Sequence, residues 1–73
     1  MNRYDVSFVI PLKNEAESLE TLYRGIVENT TPLGLSFEII FIDDGSTDNS
    51  FEIIKKLHER DTRVKGVRFR RNF

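Results

Sequence analysis

Apolar residues follow two alternating patterns along this chain. Three short runs rich in β-branched and aromatic residues predict strands at 6–10, where Pro11 ends the run, at 37–42 and at 64–69. Between them, apolar residues recur at spacings of three and four, which predicts two amphipathic helices. The two helical stripes are Ala16, Leu19, Leu22, Tyr23, Ile26 and Val27, then Phe51, Ile54, Leu57 and His58. The predicted order is β-α-β-α-β.

Polar residues before each stripe are candidate helix caps. Asn14 can cap the first helix, with Glu17 three residues later in the capping-box position. Ser46 or Thr47 can cap the second helix, with Asp48 in its first turn, where the helix dipole favours an acid. These residues therefore have a structural interpretation beside any functional one.

The alternation of strands and helices predicts an α/β fold with a three-stranded parallel sheet and right-handed crossovers. If the strands are added stepwise in one direction, both helices cover the same face. The second strand is nevertheless apolar on both faces, which is typical of a strand that is covered on both sides. We therefore expect residues 1–73 to be the amino-terminal part of a larger domain, or to cover the second face by self-association.

Composition excludes several classes of protein. The chain of 73 residues has eleven Lys and Arg against twelve Asp and Glu, a net charge of −1, so charge gives no reason to expect nucleic acid binding. It has no cysteine and one histidine, which excludes a disulfide framework and a Cys/His metal site. No apolar run approaches the roughly twenty residues that span a bilayer, and the start lacks a signal-peptide pattern. We expect a cytoplasmic chain.

Charge is unevenly distributed. Residues 1–52 carry a net charge of −7 and residues 53–73 carry +6. Such a basic end can face phosphates, or it can be a solvated terminal strand and loop. Five of its bases lie close to the end of the chain: Arg63, Lys65, Arg68, Arg70 and Arg71.

Two polar clusters, 11–15 and 43–48, follow the first and second predicted strands. Ligands of open parallel sheets bind beyond the carboxyl ends of the strands, where these clusters become neighbours. Asp43 and Asp44 can hold Mg²⁺, accept hydrogen bonds from a ribose or base, or form an acidic turn. Adjacent acids repel each other, which favours function over stability. With no glycine-rich phosphate loop present, carboxylates and strand-end backbone must recognise any nucleotide.

Segments 9–15 (VIPLKNE) and 42–48 (IDDGSTD) resemble the amino-terminal half of the nucleotide-binding region of family 2 glycosyltransferases, which have the Rossmann-like GT-A fold. Segment 67–73 is similar to the polyprenyl-phosphate branch, typified by dolichyl-phosphate mannose synthases and bacterial undecaprenyl-phosphate sugar transferases. The resemblance covers essentially the whole chain. It implies that residues 1–73 are the amino-terminal part of a nucleotide-sugar-binding domain, and that the parent protein serves cell wall or glycolipid biosynthesis.

The resemblance also implies a reaction and roles for five residues. A sugar is transferred with inversion from a UDP- or GDP-linked donor to a polyprenyl phosphate. Pro11 and Lys13 line the base pocket, Asp44 hydrogen-bonds the base, and Glu15 and Asp43 lie close to the nucleotide. Lys13 departs from the family pattern, because that position is often a tyrosine that stacks on the base.

The family's metal-binding D-x-D element and catalytic base lie downstream of the matching segments. The resemblance therefore implies Mg²⁺ or Mn²⁺ in a parent enzyme at the cytoplasmic face of a membrane, with ligands mostly outside this chain. It assigns no catalytic and no metal-binding residue here, and the chain alone is expected to be inactive. Two alternatives are an autonomous small nucleotide-binding or interaction module and a receiver-type phosphoacceptor domain that binds Mg²⁺ through paired acids.

Overall fold

The computed structural model describes residues 4–69, so the expectations for Arg70, Arg71 and the first three residues lie outside the described part. All five predicted elements are present in the predicted order, and a 3₁₀ turn at Thr31–Leu33 follows the first helix. Their bounds are β1 at Val6–Leu12, α1 at Ala16–Thr30, β2 at Phe37–Asp43, α2 at Ser50–Arg60 and β3 at Val64–Arg68.

The three strands form one parallel sheet in the order β1-β2-β3. Val6 is paired with Phe37, and Ile39 is paired with Val64, so the strands are in step along their whole length. Because each crossover steps in the same direction, α1 and α2 pack against each other on one face. The expected α/β arrangement, that of the amino-terminal half of a Rossmann-like domain, is confirmed.

The core lies between the two helices and one face of the sheet, hereafter the covered face. Its buried residues alternate along the strands and are joined by one stripe from each helix: Leu12, Leu19, Phe37, Ile39, Phe41, Ile54, Leu57 and Val64. The opposite face, hereafter the open face, has no helix over it within residues 4–69. There Val9 is 56% exposed, Val67 is 43% exposed, and Ile40 and Ile42 are half-buried.

Pro11 does not end the first strand as predicted. β1 continues to Leu12, and Pro11 is paired with Ile42. The amide of Val6 donates to Ser36 and the carbonyl of Leu12 accepts from Asp44, so even-numbered residues of β1 bond to β2. Pro11 is odd-numbered and faces the free edge of the sheet, where a missing N–H breaks no ladder bond.

Both helices begin later than the capping signals predicted. α1 has Glu15 as its N-cap and α2 has Asn49, and neither side chain makes a capping hydrogen bond. The predicted caps Asn14 and Ser46 or Thr47 are therefore wrong as local caps, and Asp48 lies before α2 rather than in its first turn.

Two residues of the predicted helical stripes are exposed. Leu22 is 40% exposed, and His58 is exposed on α2. The His58 Nδ1 atom lies 2.6 Å from the carbonyl oxygen of Val64, so this nitrogen carries the proton and donates it. Within residues 4–69, no helix is both long enough and apolar enough to cross a membrane.

Candidate functional site

The two predicted polar clusters meet at the carboxyl end of the sheet. Leu12 is paired with Asp43, and the Asp44 amide donates to the Leu12 carbonyl at 2.9 Å. Lys13 and Asp44 therefore come directly after paired residues on neighbouring strands. The parallel register thus brings together residues that are about thirty positions apart in sequence.

The adjacent acids Asp43 and Asp44 are separated by the alternation of the strand. Asp43 points into the covered face and is completely buried, whereas Asp44 is exposed. The Asp43 Oδ1 atom accepts from the amide of Ser46 at 2.8 Å, which closes the turn after β2. Asp44 is therefore the solvent-exposed member of the pair, and Asp43 stabilises the turn from inside the protein.

One oxygen of this buried acid is unusual. The Asp43 Oδ2 atom is buried and has no hydrogen-bond partner among residues 4–69. Buried polar atoms are normally paired, because leaving one unpaired in the interior is costly. The turn that presents Asp44 is therefore built on a carboxylate with spare capacity to accept a hydrogen bond.

The other three predicted site residues lie on the β1 side of this end. Pro11 is exposed on the open face, and Lys13 is exposed in the loop before α1. Glu15 is also exposed, and its Oε1 atom accepts from the Ser18 hydroxyl at 2.9 Å. The structure thus brings all five predicted residues to one end of the sheet, with four of them accessible and Asp43 inside.

Asn14 connects the two loops instead of capping its own helix. Its φ of 55° lies in the left-handed region, which asparagine tolerates better than most residues. Its Oδ1 atom accepts from the amides of Thr47 at 2.8 Å and Asp48 at 3.2 Å. A residue between β1 and α1 therefore caps the backbone that leads into α2.

Asp48 and Ser50 connect the loop after β2 to the start of α1, because their side chains accept from backbone amides there. Asp48 Oδ1 accepts from the Ser50 amide at 2.9 Å and hydroxyl at 2.6 Å, while Oδ2 accepts from the amide of Ala16 at 3.3 Å. The hydroxyl of Ser50, by donating to this carboxylate, lowers the pKa of Asp48. The buried Ser50 in turn accepts from the amide of Glu15 at 3.0 Å.

Ser50 is the site residue that sequence reasoning missed. The spacing of Asp48 and Ser50 fits an Asx-turn, in which an aspartate side chain accepts from the amide two residues on, and this is a local signal. The bond from Glu15 to Ser50 has no such signal, because its two partners are 35 positions apart.

Within residues 4–69, no group of three or more His, Asp or Glu side chains could hold a metal ion. Asp43 is buried under the turn and Asp44 is exposed, so the pair does not present two carboxylates to one ion. This separation also argues against the receiver-type alternative, which requires paired acids at one Mg²⁺.

Comparison with known proteins extends these observations. An uncharacterized glycosyltransferase of Synechocystis sp. is 36% identical over 69 residues, which cover 94% of this chain and 22% of that protein. Undecaprenyl-phosphate 4-deoxy-4-formamido-L-arabinose transferases of Salmonella paratyphi B and Salmonella newport are each 42% identical over 69 residues, which cover 93% of this chain and 21% of those proteins.

The chain thus spans about a fifth of the length of the curated relatives it matches. The family model for glycosyl transferase family 2 matches residues 7–73, which include both strand-end loops, β2, β3 and all of β1 except Val6. The chain therefore belongs to glycosyl transferase family 2.

Proposed function

We propose that this chain forms part of the donor site of a longer glycosyltransferase, where it binds the nucleotide of a UDP- or GDP-linked sugar. The observation that carries the proposal is the exposed Asp44, which the sheet register places beside the loop of Lys13. Family membership supports glycosyl transfer in general. The names of the Salmonella relatives, which are undecaprenyl-phosphate transferases, support a polyprenyl phosphate as the acceptor of the longer protein. We further propose that the transfer occurs with inversion at the cytoplasmic face of a membrane.

In this proposal, three exposed residues contact the nucleotide, each through a different kind of interaction. Asp44 accepts a hydrogen bond from the base or ribose, and such a bond to an ionised acceptor is stronger than a neutral one. Lys13 supplies a point charge that suits a phosphate or a base carbonyl. Pro11 offers a rigid apolar surface beside them. Glu15 stands at the start of α1, where it borders the same space.

The remainder of the longer protein supplies the chemistry of transfer. When bound there, Mg²⁺ or Mn²⁺ would neutralise charge on the leaving diphosphate, and we expect its ligands to lie mostly outside these 73 residues. We expect the 73-residue chain alone to transfer no sugar. An assay with UDP- and GDP-sugars, either metal and polyprenyl phosphate checks this expectation, and turnover above the uncatalysed background contradicts it.

The binding proposal is tested by Asp44→Asn in the full-length protein. The substitution keeps the size of the side chain and removes its charge, so we expect the affinity for the preferred nucleotide to fall about ten- to a hundredfold. Calorimetric titration with UDP and GDP measures it. Asp5→Asn is the matched control, because Asp5 is an exposed aspartate at the opposite end of the sheet, bound to Ser36. Equal affinities of the two variants would show that the nucleotide binds elsewhere.

A further inference from the structure

The two loops at the carboxyl end of the sheet cap each other. Neither helix is capped by its own N-cap side chain. Instead, Asn14 accepts from the amides of Thr47 and Asp48, and the hydroxyl of Ser46 accepts from the amide of Asn14 at 2.8 Å. The loop after β1 and the loop after β2 are therefore fixed as one unit by bonds between residues 32 to 34 positions apart.

The hydrogen bonds between the two loops continue into the turn that carries Asp44, the candidate nucleotide contact. Ser46 receives the Asn14 amide on its hydroxyl, while its own amide donates to the buried Asp43. Asp44 lies between Asp43 and Gly45, and Gly45 has a φ of 82°. Glycine adopts positive and negative φ about equally readily, so Gly45 does not fix this conformation by itself, and contacts from the neighbouring loop help to select it.

We propose that Asn14 is a positioning residue for nucleotide binding: it holds the loop of Asp44 in place relative to Lys13 and Glu15. The inference rests on the proposed function. Preorganised loops bind more tightly because less conformational freedom is lost on binding. Asn14 suits this task through two properties: a side-chain oxygen that accepts two amides, and tolerance of a left-handed backbone.

Variants of Asn14 in the full-length protein separate these two properties. Asn14→Gly keeps the backbone freedom and removes the acceptor, so the fold survives while the loop is released. Asn14→Asp keeps both the acceptor and the backbone tolerance. Asn29→Ala is the control, because the Asn29 side chain bonds the carbonyl of Gly25 on α1, within the helix.

Two readouts are measured on each variant: amide hydrogen exchange at Thr47 and Asp48, and affinity for UDP and GDP by calorimetry. Asn14→Gly is expected to expose both amides to exchange and to weaken nucleotide binding about tenfold. Asn14→Asp should retain most of both properties, and Asn29→Ala should change neither.

The outcomes distinguish this inference from the function on which it rests. Wild-type protein that binds neither nucleotide overturns the proposed function and, with it, the role of Asn14. Wild-type protein that binds, together with Asn14→Gly protein of equal affinity, overturns the positioning role alone. Unchanged protection of Thr47 and Asp48 in Asn14→Gly also overturns it, because the loops are then held by other contacts.

Discussion

The two faces of the sheet differ in what covers them, although one strand contributes equally apolar residues to both. On the covered face, Ile39 and Phe41 have no exposed surface. On the open face, Ile40 and Ile42 of the same strand are half-buried, beside the more exposed Val67. Within residues 4–69, the buried core therefore lies only on the side of the sheet that the two helices cover.

The open face is itself divided along the strands. At the amino end it is polar: Glu38 accepts from the Ser7 hydroxyl at 2.5 Å and from the Lys65 ammonium at 3.0 Å. Towards the carboxyl end it becomes apolar, through Val9 and Ile42. The apolar half therefore borders the candidate nucleotide site, whereas the polar half lies at the opposite end.

The largest expected difference between the two faces of the sheet is measured at two adjacent isoleucines of β2. Ile39→Ala removes a completely buried side chain, so we expect a loss of about 2–5 kcal/mol in the free energy of unfolding. Ile40→Ala, on the open face, should cost no more than about 1 kcal/mol at a protein concentration where the 73-residue chain is monomeric. Urea denaturation of both variants measures the difference. Similar losses would mean that the open face is covered in solution.

The next prediction concerns the ion pair between Asp61, which directly follows α2, and Arg63. The Asp61 carboxylate accepts from the Tyr23 hydroxyl at 2.7 Å and from two guanidinium nitrogens of Arg63 at 2.8 and 2.9 Å. The hydrogen bonds from Arg63 hold the pKa of Asp61 well below its ordinary value. Asp61→Asn should therefore lower the free energy of unfolding by about 1.5–3 kcal/mol at neutral pH.

The pH dependence of this contribution has a definite sign. Because the folded pKa of Asp61 is lower than the unfolded one, the stabilisation is complete above pH of about 4 and is lost as the pH falls further. The stabilities of wild type and Asp61→Asn should thus converge in acid, as measured by denaturation between neutral pH and about pH 2. Asp5→Asn is the control variant. A difference in the free energy of unfolding between wild type and Asp61→Asn that stays constant across this pH range would contradict the assignment.

Gly66 tests how closely α2 approaches the covered face. A Cβ atom at Gly66 would lie 2.6 Å from Cγ2 of Ile54, which is buried and branched and has little room to move. Gly66→Ala should therefore cost about 1–3 kcal/mol. Gly25→Ala is the opposite control, because a Cβ there meets nothing within 4 Å and alanine favours the helix by up to about 1 kcal/mol. Thermal unfolding should move the two midpoints in opposite directions.

The smallest effect concerns association through the open face. The expectation that the isolated chain self-associates, or packs loosely, stays a prediction. Sedimentation velocity at micromolar concentration checks it. A single monomeric species that unfolds cooperatively would contradict this expectation and would favour the alternative that the chain is an autonomous small module.

Much of the fold could be predicted from the sequence, because local periodicity carries it. The stripe through Leu19 predicts the first helix and its inner face, and the apolar run around Ile39 predicts a strand that is buried in the sheet. The uncovered second face follows from the same pattern. The adjacency of Lys13 and Asp44 also follows, since successive parallel strands end at the same edge of the sheet.

Only the tertiary structure decided which residues of the site hydrogen-bond to each other and which are buried. A capping residue such as Asn14 signals only that a nearby amide needs an acceptor, and the fold selected amides of the neighbouring loop at Thr47 and Asp48. Likewise, adjacency in sequence suggested that Asp43 and Asp44 act together, whereas the pleat of β2 buries one and exposes the other. The physical reason is common to both: hydrogen-bond partners and burial depend on which strands and loops become neighbours, and those neighbours are about thirty positions away in the chain.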